Sequence, residues 1–417
     1  MKIDLDRLLR DVEALSHVGK AEHGGIFRAL GDESERQARS FLRELWVRDL
    51  HLTPYTDAIA DLWADRAGRE NLPPIGMGSH HDAVPDGGAY DGALGVLMAG
   101  ELIRTLNDHG VTTRHPLRLV SFTAEEPNPF NVSTLGSKVL SGRLTRVELE
   151  QLRHRDTGES LAAAIGAVGG DLSRVDGARL EPNCLAAFLE CHNELGRRLY
   201  DKKLPCCAVS TIIGIYREDV TVAGFANHAG TTVMTDRHDA LCAAAEFLLD
   251  YEAIVGGVEN DETVGTVGRL DVTPNETNVI PGGVTLALEL RWCDPAVKDR
   301  VLRAVDKAQK RIESARGVAI HRRVNLDQPP IPLDDTVQRA VRRGMEQAGA
   351  PACTLVSMAG HDAANMQRVC PSGMIFCQST EGRGHRFDEY CEPEAIAATA
   401  NAMLAALLIL DEELDAK

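Results

Sequence analysis

Three short apolar runs constrain this chain more than any other feature, because each ends in residues that bind protons or metals. IGMGSH ends at His80, LRLVSFTAEE at Glu125 and Glu126, and CLAAFLECHNE runs through His192. Unbroken apolar runs of this length suit strands buried on both faces, as in a parallel sheet covered by helices. Segments of helical period alternate with them. LDRLLRDVEALSHV and, after a Gly-Gly break, DESERQARSFLRELWVRDL predict two helices, with Asp32 or Ser34 as the cap of the second. DGALGVLMAGELIRTLNDHG predicts another, with Asp91 near its start and Gly110 after its end. The alternation predicts an α/β domain with a mixed, largely parallel sheet. Ligands of such sheets bind at the carboxyl ends of the strands, where all three runs place a histidine or an acid.

From about residue 209 the texture changes. VSTIIGIYREDVTVAG, TVGRLDVTP, GVTLALELRW and GVAIHRRVNLD read as period-2 strands of an antiparallel sheet, with HDALCAAAEFLLDYEAIV and PAVKDRVLRAVDKAQKRIESA as helices among them. After QPPIPLDD the strand–helix alternation returns. The expected organisation is a catalytic domain in two parts, 1–208 and 327–417, interrupted by an α+β insertion at 209–326.

Composition narrows the function classes. The chain has 417 residues, with 45 basic and 62 acidic side chains, a formal charge of −17. Such a surface repels nucleic acid and anionic membranes, so neither is an expected partner. The acids are spread along the chain apart from the short DEELDAK end. No unbroken run of 18 apolar residues is present, which argues against a membrane span. The start, MKIDLDRLLRDVEAL, lacks the apolar core of a signal peptide. The ten cysteines form no CxxC pair and several lie in apolar runs, as expected of reduced core thiols in a cytoplasmic protein.

Five residues stand at strand ends or on the loops and helix starts after them: His80 in GSHHD, Asp91 in YDGALG, Glu126 in AEEPN, His192 in ECHNE and His385 in GRGHRF. Imidazoles with two carboxylates make a ligand set for zinc or a similar divalent ion. A carboxylate such as Asp91 can bridge two ions in a two-metal hydrolase. Asp82, two residues after His80 on a strand, would share its face and orient the imidazole. Glu125, pointing away from its neighbour Glu126, could take a proton from an activated water. Each has an ordinary alternative: a lone histidine is commonly a surface or core residue, and a Glu-Glu pair commonly opens a solvated helix. Their joint order along the chain argues against coincidence.

These residues also carry a family resemblance. GSHHDAVPDGGAYDGALGVLMAGE, FTAEEPNPFNVSTLGSKVLSG, ECHNELG, NHAGTTVMTDRHDAL, NVIPGGVTLALELR, MAGHDAANM and GRGHRFDE follow one another over nearly the whole chain. The series resembles the N-carbamoyl-L-amino-acid hydrolase and allantoate amidohydrolase family, within the clan of dinuclear-zinc aminopeptidases and deacylases. The resemblance implies a zinc-aminopeptidase-like catalytic domain with an inserted lid that also forms a homodimer. It implies two divalent ions per subunit, zinc first, with manganese, cobalt or nickel as alternatives. His80, Asp91, Glu126, His192 and His385 match the metal ligands, with Asp91 the bridge; Glu125 matches the general base and Asp82 the residue behind His80. His228 matches a histidine that reaches the neighbouring subunit's site and stabilises an oxyanion. Asn278 and Arg291 match residues that hold a substrate carboxylate, and Arg217 is a weaker candidate for that task. Arg291 also ends an apolar strand, where a guanidinium can fork to a carboxylate or simply pair on the surface. In MAGHD, Ala359, Gly360 and His361 could offer backbone donors and an imidazole, or form an ordinary loop before a helix.

The chain departs from the family mildly at Thr231-Thr232-Val233-Met234, where Thr-Thr-Pro-Met is usual, and more strongly at two other places. His192-Asn193-Glu194-Leu195-Gly196 stands where His-Ile-Glu-Gln-Gly is usual, so Leu195 replaces a glutamine near the ureido group of carbamoyl substrates. Gly382-Arg383-Gly384-His385-Arg386-Phe387 replaces Gly-Ile-Ser-His-Ser-Pro, and Arg383 and Arg386 would add positive charge at the pocket mouth. The expected activity is hydrolysis of a non-peptide C–N bond in a small carboxylate-bearing substrate, such as an N-carbamoyl or N-acyl amino acid. The alternatives are an aminohydrolase releasing ammonia from a carboxylated amine, aromatic amines included, for which Leu195 is apolar wall, and a non-catalytic metal- or ligand-binding homologue. An intact Glu125 argues against the last.

Overall fold

The computed structural model describes residues 1–414; the last three residues of the acidic DEELDAK end lie outside the described residues. The chain divides into two units, residues 1–210 with 333–417, and residues 211–332.

The first unit is built on a mixed sheet. Four strands in its middle run parallel, in the order Ser372–Cys377, Ala187–Asn193, Ile75–His80, Leu117–Phe122. All four are buried almost throughout, which is why their sequences are apolar on both alternating faces. Leu62–Arg66 and Tyr55–Thr56 extend one side antiparallel, and Cys206–Ile212 extends the other. Parallel pairing is thus confined to the centre, where helical crossovers cover both faces.

The helix Ala93–Asp108 is buried along almost its whole length and packs against Ile75–His80 and Ala187–Asn193. Asp335–Gln347 and Pro393–Glu413 pack on each other and join the same core as Leu8, Leu42, Trp46 and Leu102. Pro393–Glu413 is long and apolar enough to cross a bilayer by composition, yet its apolar side chains are core residues here. The helix Glu33–Arg48 follows Asp32 as expected, but Asp32 makes no capping side-chain bond. Of the ten cysteines, all free, Cys242 is exposed and Cys191, Cys206, Cys207, Cys370, Cys377 and Cys391 are buried.

The second unit is an antiparallel sheet in the order Val264–Thr273, Gly283–Trp292, Gly214–Ala223, Ala319–Gln328. Gly283–Trp292 alternates strictly between half-buried and buried positions, the pattern of a sheet with one covered face. Val220, Leu286, Leu288 and Leu290 from that face pack with Phe247 and Val301 of the helices Ala240–Gly256 and Pro295–Arg316. A separate two-strand pair joins Asn227–His228 to Val279–Ile280.

Candidate metal centre

The parallel strands deliver their last residues to one edge of the sheet. Gly78 pairs with Glu190 in register, so the residues two further on, His80 and His192, come to the same face of neighbouring strands. Their Nε2 atoms lie 3.3 Å apart. His192 Nδ1 faces the Asn193 carbonyl at 2.9 Å; His80 Nδ1 faces the Asp82 carbonyl at 3.2 Å and its carboxylate at 3.3 Å. These partners only accept, so both Nδ1 atoms carry the hydrogen, and in the neutral rings two Nε2 lone pairs point at each other. Such an arrangement needs a positive charge between them.

Asp91 supplies the next ligand from the turn before the helix Ala93–Asp108. Its Oδ1 is 3.1 Å from His192 Nε2 and 3.8 Å from His80 Nε2. Its Oδ2 is 3.2 Å from His385 Nε2, which is also 3.2 Å from Glu126 Oε1. Two donor sets therefore share one carboxylate: His80, Asp91, His192, and Asp91, Glu126, His385. Gly92 after Asp91 has φ +63°, and a methyl there would run into the His80 ring, so this turn requires glycine.

Glu125 and Glu126 sit on a loop after Leu117–Phe122 and are buried. The expectation that Glu125 points away from Glu126 is corrected: Glu125 Oε2 lies 3.7 Å from His80 Nε2, and both carboxylates face the centre. Strand alternation no longer applies there, because the chain turns through Ala124 at φ +50°. Asp82 is corrected in its cause. The strand ends at His80, so the two share no strand face; Asp82 reaches His80 from the turn and accepts the Glu125 and Glu126 N–H groups at 3.2 and 3.0 Å.

The electrostatics ask for cations. Burial alone would keep His80 neutral, but Asp82, Glu125 and Asp91 outweigh it and raise its pKa well above the usual histidine range. Bonds to Asp91 and Glu126 push His385 up to about 10. Burial opposes ionisation of Asp91, yet His192 and His385 hold its carboxylate well below the usual range. Burial, with Glu126 and Asp362 nearby, raises Glu125 well above its ordinary value. Asp91 Oδ2 and Glu126 Oε1 are buried with no aligned hydrogen-bond donor. The donor types, the facing lone pairs and the convergence of acidic side chains fit divalent ions.

Other predicted residues fall as follows. Leu195 is half-buried and packs against Gly384, beside His385. Gly360 is exposed in the loop before the helix Asp362–Met366. The Ala359 N–H is bonded to Ser357 Oγ at 3.1 Å, which fits the ordinary-loop alternative rather than a donor to a ligand. His361 lies with its ring 4.5 Å from that of His192. Ser357 Oγ gives its hydrogen to the Ala359 carbonyl and faces His361 Nε2 at 2.8 Å. Arg383 and Arg386 do not add net charge at the mouth: Asp388 binds both, at 2.9 and 2.8 Å, and Glu381 binds Arg383 as well.

Within the inserted unit, His228 is exposed and its Nδ1 accepts the Gly230 and Thr231 N–H groups at 3.1 and 3.2 Å. The neutral ring therefore carries its hydrogen on Nε2, as a donor. Asn278 is exposed and its carbonyl accepts the Ala229 N–H at 2.9 Å, which puts it beside the His228 turn. Arg217 and Arg291 flank Glu289, at 2.6 and 2.8 Å. Sequence reasoning missed Glu190 and Glu389, buried carboxylates behind the site; both stand beside ligand motifs, in ECH and FDEY, but their partners are far away in the chain.

The model of peptidase family M20/M25/M40 matches residues 76–409. The chain is 36% identical over 402 residues to an N-carbamoyl-L-amino acid amidohydrolase of Geobacillus stearothermophilus, covering 95% of this chain and 96% of that one. It is 32% identical over 408 residues to a ureidoglycolate hydrolase of Arabidopsis thaliana, covering 95% of this chain and 84% of that one. Its fold matches that of an amidase of the hydantoinase/carbamoylase family from Burkholderia multivorans, with a TM-score of 0.89, 31% identity and 99% of each chain covered.

Proposed function

This chain belongs to peptidase family M20/M25/M40, among its hydantoinase/carbamoylase-type amidases, and from that premise we propose how its residues divide the work of a metal-dependent hydrolase acting on non-peptide C–N bonds. The observation that carries the reading is the Asp91 carboxylate, one oxygen toward His80 and His192 and the other toward Glu126 and His385. These five residues would hold two divalent ions, zinc being the ion best suited to imidazole and carboxylate donors at this spacing. When bound, such a pair supplies an electrophile and acidifies water.

Glu125 Oε2 receives the proton of the attacking water and returns it to the leaving nitrogen; burial favours the protonated form it needs halfway through the reaction. Asp82 keeps His80 on its Nδ1–H tautomer and fixes the Glu125–Glu126 backbone. His228 Nε2–H is the donor for the developing oxyanion, contributed across a homodimer. Arg291, with Asn278 and more weakly Arg217, holds the substrate carboxylate, Glu289 orienting the guanidiniums. Leu195 and Gly360 line the pocket. The favoured substrate is an N-carbamoyl or N-acyl amino acid, and the ten free cysteines fit a reducing cytoplasm.

Leu195 favours a second reading, an aminohydrolase of a carboxylated amine, because leucine cannot bond a ureido group. The test is Glu125→Ala in a release assay for ammonia and carbamoyl breakdown over carboxylated amides, ureides and amines. The variant is expected to bind zinc as the wild type does and to lose about 10²–10⁴-fold in kcat. Unchanged turnover would reject the mechanism. Ammonia released from amines alone would select the second reading. Sedimentation of a fully active monomer would remove the role of His228 across subunits.

A further inference from the structure

Glu389 lies four residues after His385, in a segment with no regular structure around it, and is 5% exposed. Its Oε1 accepts two backbone N–H groups, from Tyr90 at 3.0 Å and Asp91 at 2.9 Å. Its Oε2 is buried without a partner. Gly88 lets this happen: a methyl at Gly88 would overlap the Glu389 Cβ and crowd its carboxylate. A second tie lies alongside, the Tyr90 and Tyr390 rings meeting edge to face at 5.9 Å. The segment that carries His385 is thereby fastened to the turn that carries Asp91, 298 residues away in sequence. His385 itself sits at φ +56° with its side chain 44% exposed, held at its Nε2 by Asp91 and Glu126.

We propose that Glu389 is a positioning residue for the cation pair: by binding the Tyr90 and Asp91 N–H groups it holds Asp91 with one oxygen toward each donor set and keeps His385 within reach of the second. Glu389 makes no contact with substrate in this account. The inference rests on the reading of the centre as a metal site, and it concerns how tightly this chain binds the ions rather than what it hydrolyses.

The role is that of an acceptor, not of a charge. A glutamine places an oxygen at the same position and its amide nitrogen where Oε2 has no partner, so it should keep both bonds. An alanine removes them.

The experiment titrates metal-free protein with zinc against a chelating dye, for the wild type, Glu389→Ala, Glu389→Gln and Gly88→Ala, and records the unfolding midpoint of each without metal. Outer partners of metal ligands typically contribute about 10–100-fold to affinity. Glu389→Ala is expected to bind zinc weaker by that factor, and Gly88→Ala to weaken binding in the same direction. Glu389→Gln is expected within about threefold of the wild type. Equal zinc affinity in Glu389→Ala and wild type would overturn the proposal. So would a glutamine variant as weak as the alanine variant while its metal-free midpoint matches the wild type. If the wild type itself takes up no zinc, the reading of the centre falls, and this proposal with it.

Discussion

Replacing Asp82 by asparagine tests how the centre is held together. The carboxylate receives the Glu125 N–H on one oxygen and the Glu126 N–H on the other, at 3.2 and 3.0 Å, and Oδ1 also faces His80 Nδ1 at 3.3 Å. Asparagine keeps the shape but has one acceptor. Its amide nitrogen must face a backbone N–H or the His80 N–H, donor against donor. At least one charge-assisted bond is lost, worth about 1.5–3 kcal/mol, and a buried N–H is left unmet, at about 1–3 kcal/mol. Because the two losses partly count the same bond, the expected destabilisation is about 2–4 kcal/mol, a large share of the ~5–15 kcal/mol of an ordinary domain. Zinc affinity should fall by about 10–100-fold, since the His80 tautomer and both loop acids are loosened together. Urea unfolding of metal-free protein measures the first quantity and dye-competition titration the second. A variant within about 0.5 kcal/mol of wild type, a difference typical of inconsequential surface changes, and with unaltered zinc affinity would refute the role given to Asp82.

Asp61 is buried, accepts the Thr123 N–H at 2.7 Å through Oδ1 and has no partner for Oδ2. Burial first, then Asp57 and Asp362, raise its pKa well above the usual range. A raised carboxyl pKa means the folded state binds more protons than the unfolded one above pH ~4, so this group's stabilisation is lost as pH rises toward its folded value. Asp61→Asn should therefore gain stability relative to wild type between pH 5 and 8, by up to about 1.4 kcal/mol per pH unit; parallel pH profiles in chemical unfolding would contradict this. Gly92→Ala forces a side chain into the His80 ring at a positive φ. It should abolish zinc uptake in the same titration, and near-normal uptake would show that the turn is not needed. Leu195→Gln should shift kcat/KM toward ureido over acyl substrates by about 10–100-fold; no shift would place Leu195 outside the pocket.

Much of the centre was legible because a parallel sheet turns sequence order into spatial convergence. His80 and His192 meet because their strands are parallel neighbours whose last residues align in register. Glu125 was legible as a residue type but not as a direction, because the loop after Phe122 leaves strand geometry at Ala124. Asp82 does lie 3.3 Å from His80 Nδ1, but not by sharing a strand face: the strand stops two residues earlier than the spacing argument needs. The charge of Arg383 and Arg386 was misjudged because pairing partners only two to five residues away, Glu381 and Asp388, cancel it. In the second unit, period-2 alternation marked the covered face, since one face of that sheet meets helices and the other does not.

What stayed hidden follows one rule. Three buried carboxylates gather hydrogens from parts of the chain distant in sequence: Asp82 from the loop N–H groups of Glu125 and Glu126, Glu389 from those of Tyr90 and Asp91, and Glu190 from the Ala363 N–H of a helix and the Ser79 hydroxyl of a strand, these last two at 2.8 Å. The separations are 43, 299 and 173 residues for the first bond of each. Strands fix histidines by register, but Asp91, Glu126 and His385 sit on loops, and a loop has no ladder to hold it. A buried carboxylate is well suited to that task. It can accept two N–H groups at once, and it satisfies backbone donors that would otherwise be orphaned away from water. Such residues look ordinary in sequence because most of their donors are backbone N–H groups, which no partner residue type marks. An order among the variants follows. Loss of a carboxylate that holds a ligand-bearing loop should weaken metal binding before it unfolds the domain, whereas loss of core packing around Leu102 or Ile375 should do the reverse.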